Sequence, residues 1–222
     1  MVYLGWPGPY RKSKILKNDF NTHPHLLKST TMTKLHFRYG TMNSSKTANL
    51  LMTAHNYIAQ GRKVLLIKPQ CDTRWGDNLI KSRVGCSMEA NLILSPEVTN
   101  ISSFLNDVSC ILVDEAQFLS RDNVNMLRGI SMTIPVICWG LRTDFTTKLF
   151  PGSQRLMEVA DSIQEVKTIC VGCERKAVVN AKFFRGPEDL TKNIIREGGG
   201  SQIELGAEEK YQPMCWQCWQ EA

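Results

Sequence analysis

Gly40-Thr41-Met42-Asn43-Ser44-Ser45-Lys46-Thr47 follows directly on the alternating stretch Leu35–Tyr39, and the reading of this octet decides the fold. Alternation over Leu35–Tyr39 predicts a strand. Lys46–Gln60 then places Leu50, Leu51, Ala54 and Ile58 at helical spacing, with Gly61 as a stop. A strand, a glycine-led turn and a helix make a phosphate cradle. Successive backbone amides wrap phosphate oxygens and the helix N-terminus points at them. Lys46 reaches the outer phosphates, and the Thr47 hydroxyl ligates magnesium. The octet fits the Walker A pattern with one departure, since Ser45 stands where glycine is expected. A positive φ at that position would cost a serine about 1 kcal/mol.

A second element supports the first. Cys110–Val113 is an apolar strand that runs into Asp114-Glu115, as a Walker B element does. Adjacent strand residues face opposite sides. Asp114 is therefore expected to hold the magnesium shell beside Thr47, and Glu115 to face an acceptor and take its proton. Further strands are predicted at Lys63–Ile67 and Ile134–Trp139, and helices at Arg121–Ser131 and Ser153–Ile163. Alternation of strand and helix predicts an α/β fold, a P-loop (RecA-like) parallel sheet flanked by helices.

Eight cysteines are present, and four form the pairs Cys170–Cys173 and Cys215–Cys218, with 41 residues between the pairs. Paired C-x-x-C spacing is that of a tetrahedral zinc site. With no secretory signal at the N-terminus, a reducing, cytoplasmic setting is expected rather than a disulfide framework. The 222 residues divide into an extension at 1–31, expected to be disordered, a P-loop domain at 32–168, and a small C-terminal zinc-binding module at 169–222. The zinc would tie off a long lid loop at its base.

The net charge of +6 invites a polyanion-binding reading. However, residues 1–34 contain Arg11, Lys12, Lys14, Lys17, Lys28 and Lys34 against Asp19 alone. The rest of the chain is close to neutral, so no direct nucleic-acid binding is expected. No apolar run approaches the roughly 18 residues of a membrane span, and no membrane association is expected.

These motifs, taken in order, resemble the type II (cellular-type) thymidine kinase family. The loop GTMNSSKT is similar to its G-x-M-x-S-G-K-[ST], and Asp114-Glu115-Ala116-Gln117-Phe118 to its D-E-x-Q-F. Gly140–Phe145 (GLRTDF) with Phe150-Pro151-Gly152-Ser153, the block KPQCDTRWG at Lys68–Gly76 followed by Ser82-Arg83-Val84-Gly85, and the two cysteine pairs complete the match. It covers about residues 33–220.

The resemblance implies transfer of the ATP γ-phosphate to the 5′-hydroxyl of thymidine, giving dTMP for DNA synthesis. It implies Glu115 as base, and Gly40 to Thr47, Asp114 and Gln117 as binders of ATP and Mg2+. Arg74 and Arg83 would stabilise charge. Leu141, Phe145, Phe150 and Met42 would wall the nucleoside pocket. By the same resemblance Gln202, Ile203, Glu204, Leu205 and Gly206 would hold the base, with Gly198–Gly200 as a hinge and Tyr211 beside the sugar. Zn2+ at Cys170, Cys173, Cys215 and Cys218 would be structural, and the assembly a homotetramer. Two alternatives are a P-loop ATPase of another kind and a catalytically silent nucleotide binder, the latter resting on Ser45.

Overall fold

The structure is a computed structural model that describes residues 33–76, 78–184, 194–197 and 210–222. The extension 1–31, the Gly198–Gly200 hinge and the Gln202–Gly206 stretch lie outside the described residues. In chain order the elements are β1 Leu35–Tyr39, α1 Lys46–Ala59, β2 Lys63–Pro69, β3 Leu79–Lys81, β4 Ser87–Glu89, β5 Leu92–Leu94, β6 Val108–Val113, α2 Arg121–Ile130, β7 Val136–Gly140, α3 Pro151–Val159, β8 Ser162–Glu165, β9 Val179–Phe183, β10 Ile194–Ile195, β11 Tyr211–Met214 and α4 Trp216–Glu221.

Six strands form one sheet in the order β5-β2-β6-β7-β1-β8, and every pairing in it is parallel. A parallel sheet buries both faces, and the sequence alternation shows which residues go where. Leu35, Phe37, Leu65, Ile67, Ile111 and Val113 point to one side, where Val124 and Leu127 of α2 and Leu156 of α3 cover them. Val64, Leu66, Cys110, Leu112, Ile137 and Trp139 point to the other, beneath Leu50, Leu51 and Ala54 of α1. β7 lies between β1 and β6, so the phosphate loop and Asp114-Glu115 emerge at the same carboxyl edge, separated by the end of β7. Such an edge is where open α/β sheets bind ligands.

One expectation needs correction. The helix predicted over Ser153–Ile163 ends at Val159, and Ser162–Glu165 is an edge strand paired with β1. Ala160 turns extended (φ −71°, ψ 138°). Asp161 then exchanges two hydrogen bonds with Leu35, donating its N–H to the Leu35 carbonyl (2.9 Å) and accepting the Leu35 N–H on its carboxylate (2.8 Å). The apolar periodicity of this stretch was overridden by β-pairing that a helical window cannot register.

The C-terminal part forms its own antiparallel sheet, β10-β9-β11. Cys170, Val179, Ala181, Phe183, Met214, Cys215 and Trp219 make a separate small core there. A two-stranded hairpin, β3-β4, stands apart from both sheets.

Candidate active site

Gly40 ends β1 under tight constraint. A Cβ there would sit 2.4 Å from both Ser44 Oγ and the Val166 carbonyl, so the chain can pass only without a side chain. Asn43 and Ser45 both have φ +62°, which curls the loop. The positive φ anticipated for Ser45 is present. Its side chain makes no capping hydrogen bond to α1 and lies exposed on the cavity side. Lys46 is buried, its Nζ donating to the Thr41 carbonyl (2.7 Å) and to Ser44 Oγ (3.4 Å). Burial pulls its pKa down to about 8, against the opposing pull of Glu115 and Asp114. The loop fits a triphosphate on a further point. Thr41 Oγ1 is buried with no hydrogen-bond partner among the described residues, as a donor awaiting a phosphate oxygen would be.

Thr47 and Asp114 meet across the cleft, with the Thr47 hydroxyl 3.1 Å and 3.3 Å from the two carboxylate oxygens. A hydroxyl and a carboxylate so placed are the hard oxygen donors magnesium takes. Burial and the neighbouring Glu115 charge raise the Asp114 pKa. Magnesium at this site would remove that penalty.

Glu115 does not follow strand alternation, because β6 ends at Val113 and Glu115 itself adopts a left-handed conformation, φ 46° and ψ 39°. Its direction is fixed by partners instead. Arg74 Nη2 donates to Oε1 (2.5 Å) and Gln117 Nε2 donates to Oε2 (2.5 Å). Burial would raise its pKa, yet Arg74, Lys46 and Gln117 together hold it below the usual carboxylate value. These partners favour the charged, proton-accepting form of Glu115. A left-handed non-glycine residue held by its surroundings is a mark of functional sites.

Gln117 is 1% exposed. Its amide bridges Glu115 and the Leu141 N–H (3.0 Å) at the end of β7. Gly140 makes room, since a Cβ there would lie 2.7 Å from Gln117 Oε1. The resemblance counts Gln117 among the nucleotide-binding residues, and the structure places it in the cavity lining beside Glu115.

Arg74 is held from behind. Its Nε donates to Asp72 Oδ1 (2.7 Å), and Asp72 lies 3.7 Å from Nζ of Lys68. Lys68, fully buried at the end of β2, donates to the Gly76 and Leu79 carbonyls (3.2 Å each). Burial opposes the Arg74 charge, but Glu115 and Asp72 more than compensate and keep it protonated. Arg83, between β3 and β4, donates to Asn43 Oδ1 of the phosphate loop.

These groups converge on one cavity of about 310 Å³. Its phosphate side includes Met42 to Thr47, Arg74, Trp75 and Arg83. The opposite side is lined by Leu141, Phe145, Phe150 and Tyr211. Phe150 meets Phe118 edge-on at 5.7 Å, and Phe145 lies 6.4 Å from Tyr211. Lys182 Nζ sits 4.6 Å over the Phe145 ring. Asp144 accepts the Thr146 and Lys148 N–H groups (2.9 and 3.0 Å), closing the turn that presents Phe145.

A family model described as thymidine kinase matches residues 33–219. The chain belongs to the thymidine kinase family. It is 40% identical over 190 residues to a thymidine kinase of Lactiplantibacillus plantarum, covering 83% of this chain and 94% of that one. A thymidine kinase of Enterococcus faecalis is 40% identical over 190 residues (83% and 93%), and one of Rhodopirellula baltica 38% identical (83% and 86%).

The four cysteines of this family member come together as their spacing implied. All four Sγ atoms lie within 4.8 Å of one another, and Cys173 and Cys215 are 3.6 Å apart. Tetrahedral zinc with bonds of about 2.3 Å sets neighbouring sulfurs about 3.8 Å apart, so the residues fit the ion. The Gly172 N–H points at Cys170 Sγ (3.3 Å) and the Cys218 N–H at Cys215 Sγ (3.4 Å), as donors to thiolates do. No helix among the described residues is long and apolar enough to cross a membrane.

Asp72, Lys68, Asn180 and Lys182 belong to the site or its support, and sequence reasoning missed them. Lys68 and Asp72 were visible only as part of a matching block. A lysine closing an otherwise apolar central strand was the available signal.

Proposed function

We infer that this chain phosphorylates thymidine at its 5′-hydroxyl with the γ-phosphate of ATP. The observation that carries the reading is that the Glu115 carboxylate, the phosphate loop and the aromatic residues Phe145, Phe150 and Tyr211 line one cavity, in a chain of the thymidine kinase family.

In this reading Glu115 accepts the 5′-hydroxyl proton through Oε1 once Arg74 turns from it to the incoming γ-phosphate. The same movement places a guanidinium where charge builds during transfer. Gln117 keeps hold of Oε2 and so aims the base. Lys46 and the loop amides hold the β- and γ-phosphates. Thr47 and Asp114 would hold magnesium, which supplies neutralisation of the phosphate charge. Leu141, Phe145, Phe150 and Tyr211 give flat apolar walls suited to a methylated base, and their desolvation of the cleft disfavours transfer to water. Zinc at the cysteine cluster is structural, and assembly into a homotetramer in a reducing cytoplasm belongs to the same proposal.

The test is a coupled assay with purified protein, ATP, magnesium and a panel of nucleosides, alongside metal analysis. Thymidine-dependent formation of dTMP and ADP in equal amounts, with one zinc per chain, is the expected result. ATP turnover that ignores thymidine would refute the reading.

A further inference from the structure

Asn180 is buried (4% exposed) as the second residue of β9, yet its side chain reaches out of the C-terminal sheet. Its Oδ1 accepts the Met42 N–H of the phosphate loop at 2.7 Å. Its Nδ2 donates to the Thr143 carbonyl at 3.1 Å, in the segment that presents Phe145. One amide therefore joins three pieces of chain that are far apart in sequence.

The same end of β9 is tied to the cysteine cluster. Val179 pairs with Met214, the residue before Cys215, and Asn180 pairs with Pro213. Val171, between Cys170 and Cys173, donates its N–H to the Pro213 carbonyl (2.9 Å). Drawing the four sulfurs together thus sets the register of β11 on β9, and with it the reach of Asn180. Two weaker bonds run the same way, from Arg142 to the Val178 carbonyl (3.4 Å) and from Thr168 to the Asn43 carbonyl (3.5 Å). The Met42 N–H, spent on Asn180, cannot face phosphate. It fixes the Thr41–Met42 peptide plane at the start of the loop.

We propose that Asn180 is a positioning residue through which the four-cysteine site sets the shape of the phosphate loop, so that metal occupancy governs affinity for nucleotide phosphates. This rests on the reading of residues 40–47 as a phosphate-binding loop. An amide that loses its acceptor gives up on the order of tenfold in the equilibrium it supports.

Mg·ADP is titrated calorimetrically, without nucleoside, into the zinc-loaded full chain and into Asn180→Ala. The variant is expected to bind about tenfold more weakly. Stripping zinc with a chelator should weaken wild-type binding by a similar factor and the variant by less than about twofold, because coupled perturbations are not additive. Asn180→Ser, too short to reach Met42 and tolerant of water, serves if the alanine variant fails to fold. Amide exchange over residues 40–47 should rise in the substituted chain and in the stripped wild type alike. Wild-type affinity in the variant, or equal losses on stripping in both proteins, overturns the inference. A zinc-loaded wild type that binds no Mg·ADP refutes the phosphate-loop reading itself, and the inference with it.

Discussion

Replacing Ser45 with glycine should stabilise the protein. Ser45 holds φ 62° and ψ 26°, a conformation that costs a residue with a Cβ about 1–2 kcal/mol. The hydroxyl returns none of that, since it makes no cap hydrogen bond. Glycine gives back about 0.5–1 kcal/mol through its greater freedom in the unfolded chain. The balance is a gain of up to about 1.5 kcal/mol, or up to roughly 6 °C in Tm for a chain of this size. Calorimetric melts of wild type, Ser45→Gly and Ser45→Ala would measure it. The alanine variant keeps the Cβ and loses only the hydroxyl, so it should melt with the wild type. A lower Tm for Ser45→Gly, or an equal rise in Ser45→Ala, would refute the strain assignment. Affinity for Mg·ADP should be retained in Ser45→Gly, since the loop amides and Lys46 are kept and glycine is what the Walker A pattern carries at this position.

Glu115→Gln keeps the size of the side chain and one acceptor for Arg74, gives up the hydrogen bond from Gln117, and removes the proton acceptor. Turnover should fall about 10²–10⁴-fold with the ATP KM within a few-fold of wild type, and near-normal turnover would rule out Glu115 as base. Asp161→Asn tests the join between β8 and β1. The Leu35 N–H, then Arg128 at 2.5 Å, hold the Asp161 pKa below its ordinary value. Its stabilisation is therefore complete above the unfolded pKa of about 3.9 and fades as pH falls through the lower folded value. With solvent screening the loss at pH 7 should be about 1 kcal/mol or less. Urea midpoints of variant and wild type should converge as pH drops below about 4, and a pH-independent gap would exclude the ionic account.

The parts of the site that lie on long, strongly patterned elements were legible in sequence. Lys46, Thr47, Asp114 and Glu115 each follow an apolar strand, and the cysteine pairs announce themselves by spacing. Three-residue strands such as β3, β4 and β5 carry too few residues to show a period. β8 was absorbed into the helix before it because its evidence lies in pairing with β1. What fixes Glu115 was hidden for a related reason. The Arg74 contact spans 41 positions and the Met42–Asn180 contact 138, and no local pattern encodes a partner at that distance. The orientation of Glu115 was argued from strand alternation, which stops applying one residue before it, at Asp114, where the strand has already ended.

The strand order carries a consequence for biosynthesis. β1 leads into the phosphate loop, yet both of its neighbours, β7 and β8, come from far downstream. At about 5–20 residues per second, the roughly 100 residues between β1 and β7 keep a nascent strand waiting on the order of 5–20 s for its first partner. Until then Phe37 and Leu35 have no sheet to enter. The nucleotide site is among the last features a ribosome-bound chain can assemble, although its signature is among the first to emerge.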